Sequence, residues 1–166
     1  EILTIIYVVL YFMQKNINIQ NKKARFQYEI LDKYTAGIVL TGTEIKSIRS
    51  SKASITESFC EFSENGELFA VNMTIQEYDF GNHYNHAPKA ERKLLLNKKE
   101  LKKLEKEVKN SGLTIIPLKL FINDKGFAKL RISLAKGKKL FDKREASKES
   151  SAKREMDRVT KTFNKN

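Results

Sequence analysis

The strongest constraint on how this chain folds lies between residues 113 and 134, where two alternating runs flank a tight polar turn. Leu118, Leu120 and Ile122 share one face of the first run, and Leu130, Ile132 and Leu134 share one face of the second. Lys119, Lys129 and Arg131 point the other way. Successive side chains of a strand point to opposite faces, so this pattern predicts a hairpin that buries one face and shows a basic one. Asn123-Asp124-Lys125-Gly126 supplies the turn. A sheet of this kind needs more strands to cover its apolar face.

Further strands follow from the same signals. Phe26, Tyr28 and Ile30 alternate with polar residues, and Ala36 to Thr41 reads as a second strand ended by Gly42. Ser58–Ser63 and Glu67–Met73 form a hairpin around Asn65-Gly66, a pair suited to positive-φ turns. Two helices interrupt the strands. Residues 43–51 carry Ile45 and Ile48 on one face with Thr43 as N-cap. Asn97-Lys98-Lys99-Glu100 opens the second, which places Leu101, Leu104 and Val108 on one face and stops at Gly112. Short antiparallel strands broken by helices fit a mainly β fold with flanking helices. The OB-fold, an antiparallel β-barrel common among nucleic-acid binders, is the expected solution.

After the last strand the chain changes character. Five of the eleven residues from Ala135 to Glu145 are Lys or Arg. From Gly137 onward there are ten cations against five acids and few apolar residues. Such a tail buries too little surface to offset chain entropy, so it is expected to be disordered when free. Ala152, Met156, Val159 and Phe163 fall at near-helical spacing, which predicts a helix on binding. The whole chain of 166 residues carries a net charge of +12, which favours a polyanionic partner, RNA before an anionic membrane.

Other chemistry is poorly represented. Cys60 is alone, so no disulfide forms within the chain; it reads as a buried thiol in a reducing, cytoplasmic setting. No phosphate-cradling glycine loop occurs. His83 and His86 with one distant cysteine make no zinc set, so they read as loop contacts. Glu44 and Glu57 have no nucleophile or metal set beside them; Glu44 reads either as a capping, buried carboxylate or as a group orienting a basic neighbour or accepting from RNA hydroxyls. Phe26, Tyr28, Tyr78 and Tyr84 are candidates to stack on unpaired bases, with core burial the competing role for the first two. Residues 1–12 form an apolar block too short to span a bilayer, and Met13 reads as the natural start.

Four colinear blocks carry a resemblance: Asn21 to Arg25, Ala36 to Arg49, Arg92 to Leu96 and Ala135 to Glu145. Together they resemble the SmpB family, the SsrA-binding proteins of bacteria. Residues 1–20 read as a leader, non-native or flexible, and the polar stretch from Asn16 to Lys23 as flexible; the resemblance, which runs from Asn21, implies an OB-fold RNA-binding domain over 21–139 and a basic tail over 140–166 that is helical on the ribosome. It implies binding to the tRNA-like domain of transfer-messenger RNA (tmRNA), with no enzymatic activity, cofactor, metal or membrane partner. It also implies delivery with elongation factor Tu and GTP to stalled ribosomes, the tail entering the empty mRNA channel near the decoding centre. By position, the RNA-binding surface comprises Asn21, Arg25, Glu44, Lys46, Arg49, Leu95, Lys129 and Arg131, continued by Lys136, Lys138 and Lys139. Gly137 is implied as a pivot, and Asp142, Lys143, Arg144 and Met156 as residues of tail function. Thr35, Phe26 and Phe141 stand where relatives carry an acidic residue, a His, and a Tyr or His. A general single-strand RNA-binding protein is the runner-up, and an RNA-processing enzyme comes third.

Overall fold

The computed structural model describes residues 17–163, so the apolar block at 1–12 and the Met13 start lie outside the described residues. The chain is mainly β with several helices. Strand β1 (Asn18–Gln20) leads into a short helix α1 (Ala24–Gln27) and the long strand β2 (Tyr28–Ile38). Helix α2 (Gly42–Arg49) is followed by β3 (Ala53–Ser54), β4 (Phe59–Phe62), β5 (Leu68–Val71) and β6 (Thr74–Ile75). A loop with one 3-10 turn (Asn82–Tyr84) reaches β7 (Arg92–Leu95) and helix α3 (Lys98–Ser111). The hairpin β8 (Thr114–Ile122) and β9 (Ala128–Gly137) then feeds helix α4 (Leu140–Phe163).

The main sheet runs β1-β8-β4-β5-β7-β2-β9, and β8 also pairs with β9. The pairing therefore returns on itself through β8, β4, β5, β7, β2 and β9. All of these pairs are antiparallel. One edge of β8 follows β9 along its length; the other is shared by β4 at Ile115 and β1 at Lys119 to Phe121. Inside the circuit lie Ile55, Leu68, Met73, Ile75, Ile115, Leu120, Leu130 and Ile132, all essentially without solvent contact. Helix α3 adds Leu104, fully buried, with Leu101 and Val108 packed beside it.

Two irregularities decide which side chains face outward. Between Pro117 and Lys119 strand β8 has one more residue than β9, and between Ile30 and Lys33 strand β2 has one more than β9. An extra residue reverses the alternation beyond it. Leu118 therefore does not share a face with Leu120 and Ile122, as plain alternation predicts. It joins Ile116, Ala135, Tyr28 and Ile30 in a second cluster on the outer face, covered by Ala24 of α1. Proline suits the irregular site because it has no amide hydrogen for the ladder. The Ser133 hydroxyl donates to the carbonyl of Asp32 in the β2 bulge at 3.0 Å.

Several local expectations shift. Residues 24–27 form a helical turn, so strand character begins at Tyr28, and 36–38 continue that strand. The polar stretch from Asn16 to Lys23, whose composition predicts flexibility, includes β1, and Ile17 beside it is buried. The N-cap of α2 is Thr41, two residues earlier than expected: its side chain accepts from the Glu44 amide, and Glu44 accepts from the Thr41 amide at 2.7 Å. The start of α3 is as read, with Glu100 accepting from the Asn97 amide, and Gly112 ends it with φ of 60°.

Candidate nucleic-acid interface

The bulges assemble the basic face. On the outer side of β9, Arg131 stands between Thr35 of β2 and Lys119 of β8. Lys129 stands between Gly37 and Phe121. Gly37 also pairs with Leu95, and the missing Cβ lets Leu95 come close: a Cβ there would lie 3.3 Å from that of Leu95. Leu95 is exposed, so an apolar side chain borders the cations. The Phe121 ring has Lys119 Nζ at 5.1 Å and the Arg131 guanidinium at 5.7 Å from its centre. Such contacts hold flexible cations over a ring without neutralising them.

Beside this row an open groove of about 850 Å³ is lined by Lys22, Arg25, Lys33, Lys119, Arg131 and Lys138, with Glu29 as its acidic residue. Lys33 and Lys119 each follow a bulge, which is why they face the same side as Arg131. At the groove wall, Lys138 donates through its amide to the Gln27 carbonyl and through Nζ to the Arg25 carbonyl, both at 3.0 Å. It thereby satisfies carbonyls that α1 leaves open at its C-terminus. Asn21 is tied inward: its side-chain amide donates to Pro117 O, and its oxygen accepts from the Ala24 amide.

The structure thus gathers Asn21, Arg25, Arg131 and Lys138 at the groove and sets Lys129 and Leu95 on the adjoining row. Lys136 pairs with Glu29 at the end of β9 and is exposed. Lys46 and Arg49 project from α2 away from the groove lining: Lys46 Nζ is 5.2 Å from the Tyr78 ring centre, and Arg49 reaches the Gly126 carbonyl. Glu44 is not on the surface. It is 4% exposed, and its carboxylate is divided between the Thr41 amide and Arg92, at 2.7 Å each. A place in the RNA-facing set is therefore corrected to the capping, buried role.

Arg92 was read only as part of a motif, and it proves to be the main polar fastener of the body. It is 2% exposed, and besides Glu44 it donates to the carbonyls of Met73, Ala90, Ala87 and Pro88. Those bonds use all five N–H groups of the guanidinium. Nothing in the charge pattern marks this arginine, among so many, as buried. Phe121 was also missed, although its parity with Lys119 would have found it.

Gly137 ends β9 opposite Tyr28, where an added Cβ would meet nothing within 4 Å. Its backbone is not among the positive-φ glycines, so this arrangement does not itself require glycine. Lys139 is exposed and precedes α4, and its amide donates to the Asp142 carboxylate at 3.2 Å. Asp142 thus closes the start of the helix as a capping-box acid does. Lys143 is half-buried, and Arg144 and Met156 are exposed. Residues 140–163 form one helix whose side chains from Ser147 to Lys161 are all exposed.

The remaining candidates settle into structural places. The thiol of Cys60 is buried, and desolvation pushes its pKa up. His86 bridges Thr43 Oγ1 and the Ile75 carbonyl. Tyr28 belongs to the outer cluster and the groove wall, whereas Phe26 is 45% exposed. Among the described residues no group of three or more metal-ligating side chains occurs, and no helix is long and apolar enough to cross a membrane.

Comparison with known proteins agrees with this geometry. A family model described as SmpB protein matches residues 18–162. An SsrA-binding protein of Christiangramia forsetii is 64% identical over 152 residues, 92% of this chain and 96% of the relative. One from Flavobacterium johnsoniae is 66% identical over 152 residues, 92% of this chain and all of the relative. A chain solved in work on "tmRNA-SmpB: a journey to the center of the bacterial ribosome" superposes with a TM-score of 0.64 at 46% identity, over 79% of this chain and 94% of that one. A chain matched by that model over this span, with relatives so similar along nearly their full length, belongs to the SmpB family.

Proposed function

We propose that this protein binds the tRNA-like domain of tmRNA and carries it to stalled ribosomes for trans-translation. The observation that carries the reading is the outer-face groove, where Arg25, Lys33, Lys119, Arg131 and Lys138 converge on a body whose relatives are SsrA-binding proteins. Cations on a rigid sheet suit the phosphates of a folded RNA, and such contacts set position more than they read bases. Leu95, Lys129 and Phe121 extend the contact, while Asn21 shapes the groove wall. Lys46 and Arg49 meet RNA from the adjoining helix, and Lys136 and Lys139 continue the grip towards the tail.

The closed circuit of strand pairings supports reading residues 21–139 as an OB-fold barrel. The tail over 140–166 works in the ribosome's mRNA channel near the decoding centre. Its helix is exposed on every described side from Ser147 to Lys161, so tertiary packing adds little to its stability. The free tail is therefore disordered for much of the time, and ribosomal phosphates order it. Asp142 starts that helix; Lys143, Arg144 and Met156 lie along it; Gly137 redirects the chain before it. An occupied channel excludes the tail, which makes it a sensor of stalling. The delivery complex includes elongation factor Tu with GTP, in the cytoplasm, and no residue here is assigned to catalysis.

Competition binding at fixed salt tests the assignment. The tRNA-like domain should be preferred clearly over single strands, and equal affinity for both would overturn it. Arg131→Ala should weaken binding and lower the slope of log affinity against log salt by about 1.

A further inference from the structure

The loop between β6 and β7 carries aromatic surface that the groove does not use. Phe80 is 79% exposed and Tyr84 is 93% exposed. Neither ring lines the groove. Large exposed rings are common on loose loops, but this loop is fastened along its length. The Asn85 side chain accepts from the Tyr78 amide at 3.1 Å and donates to the Tyr78 carbonyl at 2.7 Å, imitating a strand partner. Gly81 lies so close to that side chain that an added Cβ would sit 2.6 Å from Asn85 Nδ2. His86 is held at both ring nitrogens, and Arg92 fixes the carbonyls of Ala87, Pro88 and Ala90 from inside. A surface ordered in advance loses less freedom when it binds.

The surroundings indicate what these rings meet. Tyr78 is occupied, with Lys46 over its face and Phe80 against its edge, the centroids 5.6 Å apart at 66°. The charge of Asp79 is met by Lys52 at 2.5 Å. Lys46 of α2 leaves positive charge on the Tyr78 ring, against which Phe80 packs. Asn82 and His83 separate Phe80 from Tyr84, so the rings are discrete platforms and not one continuous apolar patch. Isolated aromatic faces next to cations suit an unstacked nucleobase and its phosphate.

We infer that Phe80 and Tyr84 form a second RNA contact, which stacks unpaired bases and is separate from the groove. This goes beyond the proposed binding of a folded tRNA-like domain. The probe is an oligoadenylate carrying one 2-aminopurine, added to the full chain at about 0.3 M salt, where phosphate contacts are weakened and stacking persists. Binding should quench the probe. The double variant Phe80→Ala with Tyr84→Ala should weaken binding by about tenfold or more. Phe80→Tyr with Tyr84→Trp should preserve it.

An alanine variant within twofold of the wild type would overturn the inference. So would a Phe80→Leu, Tyr84→Leu variant that binds as the wild type, since that would mark an apolar face for a protein. Both rings are exposed, and circular dichroism checks that each variant is folded. Affinity for the tRNA-like domain at low salt reads the groove independently and should be the same in all variants. Its absence in the wild type would defeat the groove reading while leaving the probe result intact.

Discussion

The body and the tail of this protein are both basic, yet they hold their charges by opposite means. In the body, cations stand on paired strands, and two bulges aim Lys33 and Lys119 at the side already taken by Arg131. In the tail, a single helix presents its charges with every described side chain from Ser147 to Lys161 in solvent. One arrangement is held by neighbouring strands, and the other by the helix's own backbone bonds with little packing behind it. Preorganised charge loses little freedom on binding, whereas a lone exposed helix draws little stability from tertiary contacts.

The largest break in this contrast comes from Arg92. Arg92→Ala leaves Glu44 buried without its partner and frees the carbonyls of the β6–β7 loop. It should cost about 3–5 kcal/mol in urea unfolding, because an uncompensated buried charge remains. Helix content in α4 should not change. Next come two paired substitutions, one in each region. Leu104→Ala opens a cavity under α3 and should cost about 2–5 kcal/mol. Met156→Ala, with Met156 73% exposed, should leave the unfolding midpoint within about 0.5 kcal/mol of the wild type. A large loss from Met156→Ala would show the tail to be packed on the body.

The smallest effect concerns pH. The hydrogen bond from Lys103 to Asp32, at 2.7 Å, holds the Asp32 carboxyl below its usual value of 3.8 and the Lys103 amine above its usual 10.5. Asp32 binds protons more readily when unfolded, so its contribution is present above about pH 4 and is lost as pH falls through the lower folded value. The Lys103 contribution is present below its ordinary value and fades as pH rises through the raised one. Asp32→Asn should therefore flatten a small acid-side loss in a stability–pH profile and leave the neutral region nearly unchanged, since both groups are exposed.

The sequence made the hairpins and α3 legible because each is a local signal: alternation, Asn-Gly, a capped start, a closing glycine. Lys129 and Arg131 could be placed by parity alone. The bulges could not, because an inserted residue shows only against the strand it pairs with. Leu118 therefore looked like a neighbour of Leu120. Glu44 and Arg92 lie 48 positions apart, and their pairing depends on the closed sheet. The helical turn at 24–27 was hidden because Phe26, Tyr28 and Ile30 also fit a strand. The resemblance to a family supplied Asn21, Arg25, Arg131 and Lys138 of the groove, and the structure then moved Glu44 inward, added Lys22, Lys33 and Lys119 to the lining and set Phe121 beside it.

The extra residues in β2 and β8 also decide how the face answers a change of chain length. A bulged strand works like a pleat in cloth: length can be taken out at the fold while the pattern on either side stays aligned. Removing Leu118 would close the bulge between the partners Ile132 and Arg131, with Lys119 and Phe121 still outward and Leu120 still inward. An insertion in the regular stretch from Lys119 to Ile122 has no such slack and would set apolar and basic side chains on the wrong faces. The place where this strand is least regular is therefore the place where it best tolerates the loss of a residue.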